Sequence, residues 1–382
     1  MTTDKDIEQQ VLTTIDKWVE KELRPIAREF DQADQYPTEL VEQMKALGLF
    51  GATIDEQYGG LGLSASTYAK IVSRICEVWM APSGIFNSHL IMASCVQRAG
   101  TEEQKTRFLP RFATGELRGG IGLTEPDAGS DLQSIRMVAR KAGSDYVING
   151  TKTWISNGIN GNCLAVLTKT DPNADPRHRG MSLFLCEKGE GFTVGKKLKK
   201  LGYRSIDSAE LIFDDFHVSA NNLIGGEEGL GFAQVAGGLE LGRINIAARG
   251  AGMAKGATDM ALAYAMERKT FGKPIAEHQA IQLKLAEMST RAAAAALLVE
   301  QAAIKYDQKE RCDLEAGQAK FFASESAVQN SLDAMRVFGG YSYSPEYEIE
   351  RFYRDAPLLC IGEGTNEIQR MIIAKQMVSR AR

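Results

Sequence analysis

The 382-residue chain has no long apolar run, no closely paired cysteines and no block of like charge. No apolar stretch reaches the roughly 20 residues that a membrane-spanning helix needs, so we expect no membrane insertion. The six cysteines are scattered without a C-x-x-C pair and the four histidines are dispersed, which argues against a disulfide framework and a metal site. The 45 basic and 49 acidic residues form no basic stripe, so nucleic acid is not an expected partner.

The first residues carry no recognisable targeting signal. Residues 1–8 are acidic and amphipathic, without the apolar centre of a signal peptide or the arginine-rich composition of a transit peptide. The cysteines have the scattered pattern of buried thiols in a reducing compartment, so we expect a cytoplasmic protein. The length predicts a large core and more than one domain.

Helical periodicity dominates the first third of the chain. Apolar residues recur at helical spacing from residue 4 to about residue 117. A glycine-rich segment at 55–62 interrupts the pattern, but it lacks a preceding strand and the G-x-G-x-x-G spacing. We therefore interpret it as a connecting turn and not as a nucleotide loop. An all-α N-terminal domain is predicted over residues 1–118.

The composition changes near Gly119, where alternating apolar and polar residues begin. Residues 146–151 form an alternating strand that runs into an Asn-Gly pair, which predicts a hairpin turn. Further strands are predicted at 164–168, 181–186 and 209–213, between clusters of Gly, Pro and Asp. This pattern predicts a middle β domain over residues 119–228.

The chain is helical again over residues 229–382, the third predicted domain. Helices are predicted at 232–268, 278–306, 314–338 and 367–379. The first of them contains many glycines, each of which weakens a helix by about 1 kcal/mol, so we expect another backbone or a ligand to approach it closely. The second is apolar on nearly all sides over 292–303, which predicts burial against another subunit. The fold class is therefore α+β and multidomain.

Two segments of the β domain have the composition of a ligand-binding surface. Residues 124–131 (TEPDAGSD) combine Pro, Gly and small hydroxyls, and such a loop offers free backbone N–H groups to an anionic or flat polar ligand. Residues 152–158 (KTWISNG) place Trp154 two positions before Ser156, so in an extended chain both side chains point to one face. Separately, the loop could be a plain turn and Trp154 a core residue. Together the segments predict a platform for a planar, hydrogen-bonding ring.

A third segment places a carboxylate between two glycines. Glu363 is flanked by Gly362 and Gly364, so no neighbouring side chain blocks the approach of a ligand. Thr365 is placed to cap the following helix, whose N–H groups would face the same site. By spacing alone, Glu363 could also be a solvent-exposed carboxylate in a glycine turn.

The three segments resemble motifs of the acyl-CoA dehydrogenases, a flavoprotein family. The order of a helical, a β and a second helical domain also resembles that family over essentially the whole chain. The resemblance implies an N-terminal helical domain, a middle β-barrel or sandwich and a C-terminal four-helix bundle. No side chain accepts a hydride, so the reaction requires a flavin or a nicotinamide, and the resemblance implies FAD. The substrate would be an acyl-CoA thioester, oxidised to a trans-2-enoyl-CoA with the β-hydride passing to flavin N5. Electrons would then go to an electron-transferring flavoprotein, and the protein would be a homo-oligomer, specifically a homotetramer.

The resemblance assigns Glu363 as the catalytic base, because its segment is similar to the family's E-G-T motif. Some relatives carry the base on the long helix at the position of Gly242, which cannot act as one. The substrate would also contact Ser130, Glu240 and Arg243. From spacing alone, Glu240 and Arg243 could instead form a helix-surface ion pair.

The resemblance also implies two sets of flavin contacts. The middle-domain set would comprise Ile121, Gly122, Leu123, Thr124, Gly129, Ser130, Trp154, Ile155 and Ser156. The C-terminal set, supplied by a neighbouring subunit, would comprise Arg268, Thr270, Phe271, His278, Gln279, Arg336, Val337, Gly339 and Gly340. Gly364, Thr365 and Glu367 would close over the ribityl chain or the adenine-side phosphates. Taken alone, Arg268 is explained as a cation favoured at a helix C-terminus.

Three positions depart from the family pattern. Ser156 replaces the more usual Thr and keeps the hydroxyl. Arg336 replaces a common Gln and adds positive charge near the expected pyrophosphate. Gly362 replaces an aromatic residue, which opens the acyl end of the pocket and predicts a branched or cyclic acyl group. Phe86, Asn87 and His89 either line that end or belong to a buried helix.

Other interpretations fit the same motifs. An acyl-CoA oxidase, a thioester desulfinase or a dehydrogenase of carrier-protein-bound acyl groups would share the fold. An oxidase would differ by making peroxide in air without an added acceptor. A non-catalytic helical scaffold that binds CoA esters or a partner protein is also conceivable, but it requires the motifs around Glu363 and Trp154 to be fortuitous.

Overall fold

Within residues 4–381, helices lie before and after a seven-stranded sheet in the sequence. The computed structural model describes residues 4–381, so the targeting-signal prediction falls partly on residues 1–3, outside the described part. The N-terminal helices are α1 (Asp4–Trp18), α2 (Arg24–Ala33), α3 (Thr38–Ala46), α4 (Ala65–Cys76), α5 (Met80–Ala99) and α6 (Glu102–Ala113). A π-helical turn at Val19–Leu23 joins α1 to α2.

Side-chain caps mark the start of two of the N-terminal helices, α4 and α6. The Ser64 hydroxyl accepts a hydrogen bond from Thr67 N at the start of α4, and Thr101 forms a capping box with Gln104 at the start of α6. The segment at 55–62 is a connecting turn as predicted, with one 3₁₀ turn at Glu56–Tyr58. Helix α5 is buried along most of its length, so it forms the centre of the N-terminal core.

The sheet forms the middle of the chain. Its strands are β1 (Gly119–Gly122), β2 (Val138–Ala142), β3 (Asp145–Ser156), β4 (Cys163–Lys169), β5 (Met181–Glu187), β6 (Phe192–Lys197) and β7 (Ser208–Val218). The strand order is β1-β4-β2-β3-β7-β6, with β5 also paired to β4. The sheet curls around its own apolar core, which includes Ile148, Phe184 and Phe213. This confirms the predicted middle β domain.

The predicted Asn-Gly hairpin turn is wrong. Strand β3 continues through Asn149 and Gly150, and its register against β7 shifts there. A β-carbon at Gly150 would lie 2.9 Å from the Cα of Met137, so the glycine permits a close approach inside the strand. The actual turn joins β2 to β3 through Gly143 and Ser144, with Gly143 at φ 65°.

Five helices form the C-terminal part: α7 (Gly231–Glu267), α8 (Gln279–Asp307), α9 (Asp313–Phe338), α10 (Ile349–Ile361) and α11 (Asn366–Arg380). A short hairpin of β8 (Lys269–Thr270) and β9 (Lys273–Pro274) joins α7 to α8. Helix α9 packs against all four other helices of this group. Four of the five helices were predicted, and α10 was missed. No helix within residues 4–381 is both long and apolar enough to cross a bilayer.

The glycines of α7 do permit close backbone approach, as predicted. A β-carbon at Gly252 would lie 2.1 Å from the carbonyl oxygen of Ser73, and one at Gly256 would lie 2.4 Å from that of Glu77. Both carbonyls belong to α4 or its C-terminal end. The long helix α7 therefore rests directly on the backbone of the N-terminal helical part.

Candidate active site

Glu363 lies in the short connection between α10 and α11. Its backbone adopts a left-handed conformation, with φ 52°, which is uncommon for a residue with a side chain. The Glu363 Oε1 accepts a hydrogen bond of 3.0 Å from the Nδ2 of Asn87 on α5. The Oε2 is shielded from solvent and has no hydrogen-bond partner within the described chain. One carboxylate oxygen is thus held and the other remains available.

Gly242 on α7 provides the space for this carboxylate. A β-carbon built at Gly242 would lie 2.5 Å from the Oε2 of Glu363, well inside van der Waals contact. The Glu363 carboxylate could therefore not occupy its observed position if residue 242 had a side chain. This is a physical reason why only one of the two positions considered for the base carries a carboxylate in this protein.

Burial changes the acidity of Glu363. It raises the pKa of the carboxyl group to about 7, while Arg249, the hydrogen bond from Asn87, Lys320 and Arg243 oppose that rise. A carboxylate whose pKa lies near neutrality can both accept and release a proton under physiological conditions. Perturbed carboxylates of this kind are typical of functional sites.

The connection that holds Glu363 is fixed by a buried lysine. Lys320 on α9 is fully buried, and its Nζ donates to the Gly364 carbonyl at 2.9 Å and to the Asn366 side chain at 2.8 Å. Burial lowers the pKa of Lys320 to about 8. Thr365 caps α11 by accepting a hydrogen bond from Ile368 N, which confirms the predicted cap.

The remaining predicted substrate contacts are Arg243, Glu240 and Ser130, which differ in burial and partners. Arg243 is mostly buried, and its positive charge opposes the rise in the pKa of Glu363 that burial causes. Its nearest ion-pair partner is Asp313 at 3.8 Å, while that of Glu240 is Arg98 at 3.7 Å. The helix-surface pair between Glu240 and Arg243 is therefore not the main contact of either. Ser130 is exposed in the loop after β1.

The two middle-domain motifs lie side by side. The Thr124 carbonyl accepts a hydrogen bond of 2.9 Å from Thr153 N, which joins the loop at 124–131 to strand β3. Trp154 adopts a left-handed conformation, with φ 60°, so the extended chain assumed from the sequence is interrupted there. The indole is 57% exposed, Ile155 is buried in the sheet core and Ser156 is half-buried. Trp154 thus presents its ring outside the core.

A buried ion pair supports the loop at 124–131. Lys152 is fully buried and its Nζ lies 2.8 Å from the Oε1 of Glu125, which is 7% exposed. The same Nζ donates to the Leu123 carbonyl at 2.9 Å. Glu125 also accepts from the backbone N–H groups of Arg136 and Met137. Burial lowers the pKa of Lys152 to about 8, although Glu125 opposes the change.

We expect Lys152→Met to lower the free energy of unfolding by about 3–5 kcal/mol, because it leaves Glu125 as a buried charge without its counter-ion. Denaturant titration followed by circular dichroism measures the change. Lys141→Met is the control, since Lys141 is 71% exposed and its pair with Glu228 contributes about 1 kcal/mol or less. Equal losses in the two variants would contradict the structural role of Lys152.

The predicted C-terminal set lines a separate cavity of about 570 Å³. Six of its members, Arg268, Thr270, His278, Val337, Gly339 and Gly340, line the cavity together with Tyr341. No residue of the middle-domain set lines it. The two sets of predicted flavin contacts therefore occupy different places on one chain.

The other predicted contacts surround this cavity or lie on the Glu363 connection. Phe271 is 97% exposed at the tip of the β8–β9 hairpin, and Gln279 is exposed at the start of α8. Arg336 has its Nη1 3.1 Å from the Oδ1 of Asp333, so its added charge is partly balanced. Glu367 is exposed and pairs with Arg370.

The residues around the cavity fit a dinucleotide. Arg268 offers a planar guanidinium suited to phosphate, and its centre lies 5.7 Å from the Tyr341 ring. Thr270 Oγ1 and His278 Nε2 are 3.2 Å apart and add polar groups. A β-carbon at Gly339 or Gly340 would meet no protein atom within 4 Å, so the backbone there is open to a ligand. By contrast, the described residues contain no His, Cys, Asp or Glu cluster of metal-binding size.

Comparison with known protein families shows three consecutive matches. The acyl-CoA dehydrogenase N-terminal domain matches residues 5–116, the middle domain residues 120–216 and the C-terminal domain residues 229–378. The chain belongs to the acyl-CoA dehydrogenase family. This confirms the predicted fold and the predicted enzyme class, an oxidoreductase that acts on acyl-CoA. A flavin is the redox cofactor that the family implies.

Individual relatives are similar to this chain over nearly their full length. An acyl-CoA dehydrogenase of Bacillus subtilis (strain 168) is 41% identical over 94% of both chains. An acryloyl-CoA reductase (NADH) of Anaerotignum propionicum is 39% identical over 98% of this chain and 95% of its own. The solved butyryl-CoA dehydrogenase of Megasphaera elsdenii is 36% identical, with a TM-score of 0.94 over 98% of each chain.

The sequence did not identify several residues of this acyl-CoA dehydrogenase that surround Glu363 in the structure. They are buried polar residues on mainly apolar helices: Tyr68, Asn245, Arg249 and Lys320. Polar groups need hydrogen-bond partners when they are buried, so polar residues within apolar stretches indicate a buried polar site. Among the candidates on α5, Asn87 donates a hydrogen bond to Glu363. His89 packs between Phe50 and Phe112, and burial lowers its pKa to about 4.

Proposed function

We propose that this acyl-CoA dehydrogenase oxidises the Cα–Cβ bond of an acyl-CoA thioester to a trans-2-enoyl-CoA, with Glu363 removing the α-proton. The observation that carries the proposal is the Glu363 carboxylate itself. Its Oε1 is held by Asn87, its Oε2 is buried without a partner, and its pKa is raised to about 7. An oriented carboxylate with one available oxygen and a near-neutral pKa suits a general base.

FAD would supply the hydride acceptor, at N5. The middle-domain set would contact the flavin through the loop at 121–130 and through Trp154 and Ser156. The loop is supported for this role by the buried pair of Lys152 and Glu125. Gly364, Thr365 and Glu367 would contact the cofactor from the Glu363 connection, and Ser130, Glu240 and Arg243 would contact the substrate.

The C-terminal set would come from a second subunit of a homo-oligomer, a homotetramer by the resemblance. Two observations support this arrangement. The cavity lined by the C-terminal set contains no middle-domain residue. Large apolar side chains on α8 and the neighbouring hairpin are also exposed on the single chain, including Phe271 at 97%, Leu297 at 66% and Leu283 at 60%. An electron-transferring flavoprotein is the proposed electron acceptor, and the cytoplasm the proposed compartment.

Gly362 supports a branched or cyclic acyl group. Its backbone, at φ −70° and ψ 154°, is open to any residue type. A β-carbon there would meet only the carbonyl oxygen of Leu358 closely, at 3.3 Å. The backbone therefore does not require glycine at this position, and the missing side chain leaves room beside the base.

A panel of acyl-CoA thioesters, scored by anaerobic bleaching of the flavin absorbance, tests this substrate class. We expect at least one branched or cyclic thioester to exceed butyryl- and octanoyl-CoA by about tenfold in kcat/KM. Gly362→Phe is the matched variant, because a ring beside Glu363 should reverse the order. The hypothesis fails if a straight-chain thioester exceeds every branched or cyclic one.

A second candidate is the reverse reaction, reduction of the α,β-double bond, because the Anaerotignum relative has the name of an acryloyl-CoA reductase. Glu363 would then return the proton to the α-carbon. NADH-dependent loss of the enoyl-CoA absorbance would support this direction. Peroxide formed in air without an added acceptor would instead support the oxidase alternative.

A further inference from the structure

A continuous line of buried hydrogen bonds connects Arg249 to Glu363. The Arg249 Nε donates to the Oδ1 of Asn245 at 2.7 Å, and the Nδ2 of Asn245 lies 2.9 Å from the Tyr68 hydroxyl oxygen. The Tyr68 hydroxyl lies 3.1 Å from the Oδ1 of Asn87, whose Nδ2 contacts Glu363. We call these five residues, Arg249, Asn245, Tyr68, Asn87 and Glu363, the polar relay.

Every hydrogen bond of the polar relay points the same way. A guanidinium donates to an amide oxygen, an amide to a phenol, the phenol to an amide oxygen and the last amide to a carboxylate. Aligned hydrogen bonds polarise one another in a medium of low dielectric constant. A cation at the donor end and an anion at the acceptor end therefore reinforce the whole line. Burial raises the pKa of Tyr68, so its hydroxyl keeps the proton that the line requires.

Arg249 is a buried cation whose hydrogen-bond acceptors are all neutral. It is 2% exposed, and besides Asn245 it donates to the Tyr203 hydroxyl at 3.0 Å and to the Ser83 carbonyl at 3.4 Å. Burial alone would lower the pKa of the guanidinium, yet Tyr203 and then Glu363 hold it above the usual value. A buried charge is costly unless an opposite charge compensates it. At the other end of the polar relay, the Glu363 carboxylate is the opposite charge that compensates Arg249.

We propose that Arg249 is a positioning residue for Glu363, an inference that rests on the proposed function. Through the polar relay it fixes the Oε1 of Glu363 by way of Asn87 and favours the ionised carboxylate. The Oε2 is then left free to take the proton. Arg249 itself contacts neither the substrate nor the cofactor in this role.

Other charged or titratable groups also face Glu363, so the effect of Arg249 must be separated from theirs. Lys320 approaches from α9, Arg243 from α7, Tyr68 from α4 and Tyr203 from the segment before β7. Lys320 and Arg243 also favour the ionised carboxylate. Of the three cations Lys320, Arg243 and Arg249, only Arg249 is connected to Glu363 by the polar relay.

The test measures the protonation of Glu363 in the flavin-loaded enzyme. The midpoint is the pH at which half of the Glu363 carboxyl groups are protonated. It is measured from the infrared carboxyl band that Glu363→Gln removes, and independently from the acid limb of the pH profile of kcat/KM. We expect Arg249→Gln to raise both midpoints by about one pH unit, since an opposite charge is lost. Arg249→Lys, which keeps the charge, should shift them by less than about half as much. Tyr68→Phe, which removes one hydroxyl from the polar relay, should raise them by an intermediate amount.

Tyr146→Phe is the matched control for Tyr68→Phe. Tyr146 is also buried and its hydroxyl donates to Glu228, but it lies in the β domain, and its loss should leave both midpoints unchanged. Unshifted midpoints in folded, flavin-replete Arg249→Gln would overturn the proposal. If that variant does not fold, unshifted midpoints in Tyr68→Phe overturn it instead. Full turnover by Glu363→Gln would reject Glu363 as the base, while the infrared midpoint would still report whether Arg249 controls its charge.

Discussion

Glu363→Gln is expected to lower kcat by about a thousandfold, with the flavin still bound. Glutamine has nearly the same size, and its amide oxygen can still accept the hydrogen bond from Asn87 that orients Glu363. It cannot accept a proton from the α-carbon, so only the proton-transfer step is lost. The measurement is the rate of substrate-dependent flavin bleaching without oxygen, with flavin content determined from the absorbance before substrate is added.

Glu103→Gln is the control for this prediction. Glu103 is an exposed carboxylate on α6, at the surface of the N-terminal helices. The substitution makes the same chemical change, so it should leave kcat and flavin content unaltered. Bleaching by Glu363→Gln at the wild-type rate would remove Glu363 from the proposed mechanism, whatever the behaviour of the control.

Gly242→Ala is expected to lower kcat by about a hundredfold while changing the free energy of unfolding little. The new methyl group would lie 2.5 Å from the Oε2 of Glu363, and the carboxylate is the flexible partner, so it moves aside. A displacement of about 1 Å in a reacting group can cost about a hundredfold in rate. The measurement is kcat by flavin bleaching, together with denaturant unfolding of the same preparation.

Gly237→Ala is the matched control on the same helix. A β-carbon at Gly237 would approach only the Arg98 side chain, at 3.4 Å, which is ordinary contact. This variant should keep wild-type kcat and gain up to about 1 kcal/mol in stability, because alanine favours a helix over glycine. If Gly242→Ala kept full activity as well, the packing of Glu363 against α7 would not govern catalysis.

Much of the fold was predictable because long periodic segments determine their own secondary structure. Helices α7, α8, α9 and α11 were predicted to within a few residues. Helix α10 was missed, and it contains Pro357, a residue that normally argues against a helix interior. Strands β1, β2 and β6 were missed, and β6 is exposed along nearly its whole length, so it has no strong apolar alternation. The prediction of an Asn-Gly turn was wrong because Gly150 lies inside a strand, where it allows the backbone of Met137 to approach closely.

The candidate site was predictable only where its chemistry lies in one short segment. Glu363 and Thr365 were found because their spacing and flanking glycines are visible in the sequence. The partners of Glu363 come from helices far away along the chain: Asn87 is 276 positions from it. A hydrogen bond across such a separation is set by packing, and neither propensity nor spacing encodes it. The same is true of Lys320, which is 44 positions from the Gly364 carbonyl that it holds.

The seam between α4 and α7 limits how the enzyme can admit its substrate. The glycines at 252 and 256 bring the backbone of α7 close to that of α4, and at these two positions no room remains for a side chain. This close packing holds the N-terminal and C-terminal helical parts together along α4 and α7. A hinge that swung them apart would also separate Asn87 from Glu363, because each belongs to a different part. We therefore expect the substrate to reach Glu363 without a separation of the two helical parts, so that the hydrogen bond from Asn87 is kept.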